Sequence, residues 1–236
     1  MKVIYEPAGK AREYSPLALN LYSGCKNGCL YCYVPNVCKK DRQEFHSRVM
    51  DRQEVLKKLE LDCKAGINDK VLMCFTSDPY PENSEITREA LKIFNKYNIN
   101  FQILTKSTKR AERDFDLYKE GDCFAVTLTF IKEADSLEWE PKADLPHERL
   151  EGLKKAKDTG IETWASLEPV IDPEQSLKLI DLSYEFVDLF KVGKINNYKG
   201  LDKTIDWRKF GLEAIEKLKK YGNKYYIKKD LQQYLN

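Results

Sequence analysis

Three cysteines crowd into one short stretch, Gly24-Cys25-Lys26-Asn27-Gly28-Cys29-Leu30-Tyr31-Cys32-Tyr33. A C-x3-C-x2-C spacing brings three thiols toward one point, so the rest of the chain must build a scaffold that presents this loop. Three thiolates hold three irons of a [4Fe–4S] cube and leave the fourth iron without a protein ligand. A cluster with an open iron binds a substrate rather than only passing electrons. Gly24 and Gly28 let the backbone wrap closely around so bulky a group. Two other readings stand beside this one: a zinc site completed by Cys38, or incidental thiols. Structural zinc usually takes two separated Cys/His pairs, and the chain has no second C-x2-C or H-x3-H pair. His46 and His147 lie too far apart in sequence to suggest a metal pair.

The chain has 236 residues, enough for one domain with a core of its own. Lys+Arg 40 against Asp+Glu 38 gives a net charge of +2, so no global field points to nucleic acid. The basic excess is local: Lys217, Lys219, Lys220, Lys224, Lys228 and Lys229 crowd the C-terminal end, either as a phosphate-tracking patch or as a solvated helix face. No apolar run approaches the roughly 20 residues that span a bilayer. The start, Met1 to Glu6, does not read as a signal peptide. Seven cysteines suit a reducing cytosol, so a cytoplasmic protein is expected.

Short β-rich runs alternate with amphipathic helical stretches. Strands are predicted over 17–22, 71–76, 100–105, 123–130, 162–167 and 187–192, with a further edge strand over 224–228. Between them, Ile86, Ala90, Leu91, Ile93, Phe94 and Tyr97 recur at helical spacing behind a cap at Ser84 or Asn83. A helix led by Pro146 covers about 148–158 and stops at Gly160. Another covers about 207–220. Six β/α repeats imply a parallel sheet with helices on its outer face. The organisation expected is one domain over 1–236, with a core over about 15–195 and a helical, basic extension over about 196–236. Parallel β/α folds gather ligands at the C-terminal ends of their strands, so the polar residues just after each strand carry the information.

The cluster loop, with an aromatic just before its last cysteine, resembles the radical S-adenosylmethionine (SAM) superfamily. Cys74 followed by Thr76-Ser77-Asp78 narrows the likeness to the spore photoproduct lyase and photolyase-like group. The stretches Thr105-Lys106-Ser107, Trp139-Glu140-Pro141 running into Arg149-Leu150, and Glu168-Pro169 agree with it. The resemblance covers roughly residues 15 to 195 and implies an α/β fold of the partial (β/α)6 barrel type. It implies a [4Fe–4S] cluster on Cys25, Cys29 and Cys32, and SAM chelated by the open iron. An enzyme that reductively cleaves SAM to a 5′-deoxyadenosyl radical follows, with an external electron donor such as flavodoxin or ferredoxin.

The same likeness places individual residues. Tyr31 sits where the family sets an aromatic against the adenine of SAM. Ser77 and Asp78 fall where the SAM amino group is bound. Lys106 matches a lysine that pairs with the SAM carboxylate, and Thr127 a small hydroxyl residue near SAM. Thr129 shares the face of Thr127 by the strand period of two. Glu168 is a ribose or substrate candidate, and Lys191 and Lys194 are candidates to meet an anionic substrate. In the lyase a cysteine returns hydrogen to a thyminyl radical in DNA and two tyrosines relay it; Cys74, Tyr31 and Tyr33 match these three. Each residue has a plainer reading. Cys74 fits a small buried strand residue, Lys106 a solvated surface cation, Ser77-Asp78 a turn before Pro79, and the tyrosines ordinary packing. The reaction expected is lyase-like DNA repair. The alternatives are a radical SAM enzyme modifying a peptide, RNA or small molecule, and a non-enzymatic iron–sulfur or zinc protein.

Overall fold

Apolar runs bounded by polar turns become strands close to where the pattern expects them. A computed structural model describes residues 2–196, 198 and 200–236. Its strands are β1 Ile4–Tyr5, β2 Leu17–Leu19, β3 Tyr22–Ser23, β4 Met50–Asp51, β5 Val71–Met73, β6 Phe101–Thr105, β7 Cys123–Thr127, β8 Glu162–Leu167, β9 Leu189–Val192 and β10 Lys224–Ile227. Eight of them form one sheet in the order β1-β2-β5-β6-β7-β8-β9-β10, while β3 and β4 pair by themselves. All neighbours from β2 to β10 run parallel, and β1 alone is antiparallel. Parallel neighbours need long crossovers. The helices Glu85–Lys96, Pro146–Asp158, Pro173–Ser183 and Trp207–Tyr221 supply four of them. The fold is α/β, an open barrel of the (β/α)6 type with one further strand at each edge.

Several strand expectations needed shortening; 71–76 ends as a strand at Met73 and 187–192 begins at Leu189. The run 17–22 breaks at Asn20, whose Oδ1 accepts the N–H groups of Phe75 (2.9 Å) and Thr76 (3.0 Å) and so joins two strand ends instead of extending one. The run 123–130 ends as a strand at Thr127. The expected edge strand is present as β10. With two residues, β1 is too short to show a period, and the sequence pattern does not reveal it.

Successive side chains point to opposite faces, and the two faces are filled differently. Outward, Met73, Ile103, Val126, Ala165 and Phe190 pack with helix residues such as Leu91, Phe94, Leu153, Leu179 and Leu218 in the main core. Inward, Leu72, Cys123, Ala125 and Trp164 form a second cluster with Tyr14, Phe75, Leu104 and Leu189. No helix covers that concave face. The segment before β2 fills it instead: the Tyr14 ring lies 5.8 Å from Trp164 and 6.1 Å from Phe75. The same segment reaches the far edge of the sheet. Glu13 accepts from Tyr226 Oη and Lys229 N at 2.9 Å each, and Lys10 pairs with Asp230 at 3.0 Å. Among the described residues no helix is long and apolar enough to cross a membrane.

The β1 edge depends on Asp62, whose Oδ2 accepts the N–H groups of Val3 (2.7 Å) and Ile4 (2.9 Å). Asp62→Ala strands two backbone donors. Stability should fall by about 2 kcal/mol, measured by urea or thermal unfolding, with the mixed α/β circular-dichroism signature retained.

Candidate active site

The chain leaves β2 into the cysteine loop, which puts Cys25, Cys29 and Cys32 at the C-terminal mouth of the parallel sheet. The path needs glycine. Gly24 has φ +88°, and a Cβ there would lie 2.1 Å from the carbonyl oxygen of Arg48. The loop is fastened on two sides. On one, Cys25 N donates to Phe45 O at 3.2 Å, Arg42 donates to the carbonyls of Cys29 (3.0 Å) and Cys32, and His46 Nδ1 meets the carbonyl of Cys25 at 2.7 Å. On the other, Leu30 N donates to Trp139 O at 2.9 Å and Lys142 N to Asn27 O at 3.3 Å. All seven cysteines are unbridged.

The donor set fits a cluster. Backbone N–H groups of Asn27 and Asp78 face the Cys25 sulfur and that of Val34 faces Cys32, the contacts that tune a ligated thiolate. Burial pushes the Cys25 thiol up to about 11 and the Cys29 thiol up to about 12, with Lys106 beside Cys29 pulling the other way. An iron–sulfur core must therefore displace protons when it binds. Among the described residues no three His, Cys, Asp or Glu side chains stand together as a ready metal site.

Asp78 ties the mouth together. Oδ1 accepts from Tyr80 N (2.9 Å) and Thr105 Oγ1 (2.7 Å), and Oδ2 from Lys106 N (2.9 Å) and Asn27 Nδ2 (3.2 Å). With four donors on one carboxylate, little capacity remains for a SAM amino group. Ser77 Oγ is likewise committed, donating to Gly24 O at 2.7 Å. Beside them, Thr76 Oγ1 is buried and has no partner.

Lys106 reaches the cluster loop, its Nζ 5.7 Å from the centre of the Tyr31 ring. Tyr31 donates its hydroxyl to Glu140 Oε1, which also accepts from Thr129 Oγ1 at 3.2 Å. Glu140 Oε2 pairs with Arg149 Nη2 at 2.6 Å, both side chains almost fully buried. Thr127 lies on the inner face in register with Ser166, and its carbonyl accepts from Arg149 Nη1 at 3.1 Å. Tyr33 is 44% exposed and borders the mouth.

Three expectations meet obstacles. Cys74 is buried in the main core with Leu21, Tyr22, Met73 and Tyr80, and its Sγ accepts the Leu21 N–H at 3.5 Å. Glu168 is an ion-pair partner rather than an open ribose contact. Its Oε2 accepts from Lys228 Nζ and, at 2.5 Å, from Tyr14 Oη, while its Oε1 accepts from Asn196 Nδ2 at 3.1 Å. The lysines proposed for an anionic substrate are enclosed. Lys191 donates to Tyr14 O at 2.8 Å, and Lys194 lies between the rings of Trp207 and Tyr234, 3.6 Å from Asp202.

An open parallel β/α barrel carrying a three-thiol loop at its mouth defines an enzyme built around a sulfur-ligated redox cofactor. The model of the Radical SAM superfamily matches residues 19–187, well over half of the chain, and the chain belongs to that superfamily. Membership implies a [4Fe–4S] cluster and SAM. The chain is 29% identical over 187 residues to ORF301 of Acidianus two-tailed virus, covering 72% of this chain and 61% of that protein. It is 31% identical over 172 residues to MJ0683 of Methanocaldococcus jannaschii, covering 70% of this chain and 62% of that protein. It thus spans about three-fifths of each relative. Among solved structures, a spore photoproduct lyase variant with bound AdoMet and dinucleoside spore photoproduct has a TM-score of 0.71 at 10% identity, over 94% of this chain and 78% of that one. Streptococcus suis SuiB bound to S-adenosylmethionine has a TM-score of 0.65 at 13% identity, over 89% and 49%. At these identities the likeness is one of fold.

Asp78→Asn replaces an acceptor oxygen with an amide that faces donors. It should cost about 2–3 kcal/mol and lower the iron bound per chain, measured by urea unfolding and iron analysis after anaerobic reconstitution.

Proposed function

We propose that this chain reductively cleaves SAM at a [4Fe–4S] cluster held by Cys25, Cys29 and Cys32, and acts on a substrate that enters beside Tyr33. The observation that carries this reading is the position of three unbridged thiols at the mouth of the barrel, directly beside Lys106 and Tyr31. When bound, the cluster supplies the electron that breaks the C5′–S bond of SAM. The remaining work belongs to the protein: binding, orientation and exclusion of water. Lys106, its backbone fixed by Asp78, offers an ammonium to the SAM carboxylate. Thr76 Oγ1 offers an unmet hydrogen bond, and Tyr31 a ring held by Glu140.

For the substrate we infer a damaged or modifiable nucleic acid, from the exposed cations Lys39, Lys40, Arg42, Arg48 and Lys142 around the cluster loop. An acidic electron donor finds its landing surface among the same charges. The packing of Cys74 argues against its direct return of hydrogen and favours a modification over a lyase-type repair. Burial pushes that thiol up to about 12, so it keeps its hydrogen at neutral pH, but core side chains enclose it.

Anaerobically reconstituted protein should be brown, bind four irons and form 5′-deoxyadenosine from SAM under reduction. Replacing the three loop cysteines with Ala should abolish both; zinc in the loop would overturn the assignment. Lys106→Ala should weaken SAM binding roughly tenfold, about 1.4 kcal/mol, with iron content unchanged.

Cys74→Ala should lose about 1–3 kcal/mol of stability and leave the product pattern on thymine-crosslinked oligonucleotides as in wild type, read by mass spectrometry. Abortive adducts appearing only in the variant would restore Cys74 as hydrogen donor. Nucleic-acid affinity that does not fall with salt would defeat the substrate reading.

A further inference from the structure

One fully buried ion pair lies beside the cluster loop, and only its contact with Tyr31 has been given a part above. Arg149 Nη2 and Glu140 Oε2 are 2.6 Å apart, with side-chain exposures of 2% and 0%. Burying two charges costs several kcal/mol per ion before their attraction is counted. Such a pair fills a core less economically than apolar side chains of the same size. Its surroundings show what it faces. Glu140 receives the Tyr31 hydroxyl, and Tyr31 lies between Cys29 and Cys32 in the chain. The neighbouring backbone takes the Leu30 N–H on Trp139 O at 2.9 Å, and a Cβ on Gly28 would touch Pro141 at 3.4 Å. Arg149 is itself aimed by two carbonyls, donating Nε to Asp144 O at 2.7 Å and Nη1 to Thr127 O at 3.1 Å.

We propose that Glu140 and Arg149 are positioning residues that hold Tyr31 and balance the charge beside Cys29, and so set the reduction potential of the cluster. Three charges sit on this side of the loop: Lys106 and Arg149 positive, Glu140 negative. Burial pushes the Glu140 carboxyl up, but Arg149 and Lys106 more than offset it and leave it below its ordinary value, so the negative charge is present. In a low-dielectric setting one uncompensated charge acts strongly on a neighbouring redox centre. Removing the carboxylate while keeping the guanidinium adds net positive charge near the thiolates, favours the electron-rich cluster and moves the potential upward. Neutralising both partners leaves the balance as it was.

The inference rests on the cluster assignment proposed above, and the experiment separates the two. Wild type, Glu140→Gln and the double variant Glu140→Gln/Arg149→Gln are reconstituted anaerobically, assayed for iron, and titrated to the midpoint potential by electron paramagnetic resonance. Wild type that takes up no iron defeats the cluster reading itself. With wild type loaded, the expected result is a positive shift in Glu140→Gln and a return to the wild-type potential in the double variant. An iron-loaded Glu140→Gln at the wild-type potential would overturn the proposal, as would a double variant shifted as far as the single one. Should Glu140→Gln fail to fold around its unpaired guanidinium, the double variant decides. Loading at the wild-type potential supports charge balance, and failure to load assigns the pair to structure alone.

Discussion

Four donors from three segments end on the carboxylate of Asp78: Asn27 from the cysteine loop, Tyr80 from its own loop, and Thr105 and Lys106 from the end of β6. Strand ends in an open barrel have no obligation to stay in register with one another beyond the last ladder bond. A shared charge supplies that obligation, because hydrogen bonds to an ionised group are roughly twice as strong as neutral ones. Freeing Asp78 would release the loop that carries the thiols from the strand that carries Lys106. Asp78 thus ties the cysteine loop to the end of β6 through one carboxylate.

Two largely buried ion pairs follow the same logic. Glu168 and Lys228 join the end of β8 to the residue just after β10, and Arg149 and Glu140 join a helix start to the segment beneath the cysteine loop. Each links chain segments that no sheet ladder connects. Apolar contacts of equal size would supply comparable stability, but they are not directional and tolerate sliding. A site whose groups must meet a cofactor with fixed geometry gains more from directional contacts than from further buried area. Gly193 shows how close the Glu168 pair is drawn: a Cβ there would lie 2.9 Å from Glu168 Cδ and 3.1 Å from Lys228 Cδ.

The scaffold was legible because its signals are local. Each strand of β5 to β9 shows a β-rich run, and each flanking helix shows a 3.6 period or a Pro at its start, so the count of six repeats and their order could be read directly. The cysteine loop was legible because its spacing is local too. The roles of Asp78, Glu168 and Cys74 were not, since they depend on partners 27 to 60 residues away. Sequence marks Asp78 as polar at a strand end, but cannot count the donors that will reach it. Glu140 and Arg149 were visible only as a family likeness with no role attached. Tyr14 carried no signal at all: it precedes β2, and its position inside the barrel follows from the closure of the sheet around it.

That closure also limits what a substrate can touch. Tyr14, Trp164, Phe75 and Lys191 occupy the lower inner face, with the Lys191 Nζ 4.6 Å from the Trp164 ring. Ser166, one layer higher and in register with Thr127, is bonded to the Tyr14 hydroxyl at 2.9 Å. Polar groups at the rim include Lys106, Tyr33 and Glu168, with Thr127 buried on the inner face below them. Fold and cofactor do not fix a substrate; the filled lower barrel leaves Lys106, beside Cys29, among the rim groups nearest the thiol loop.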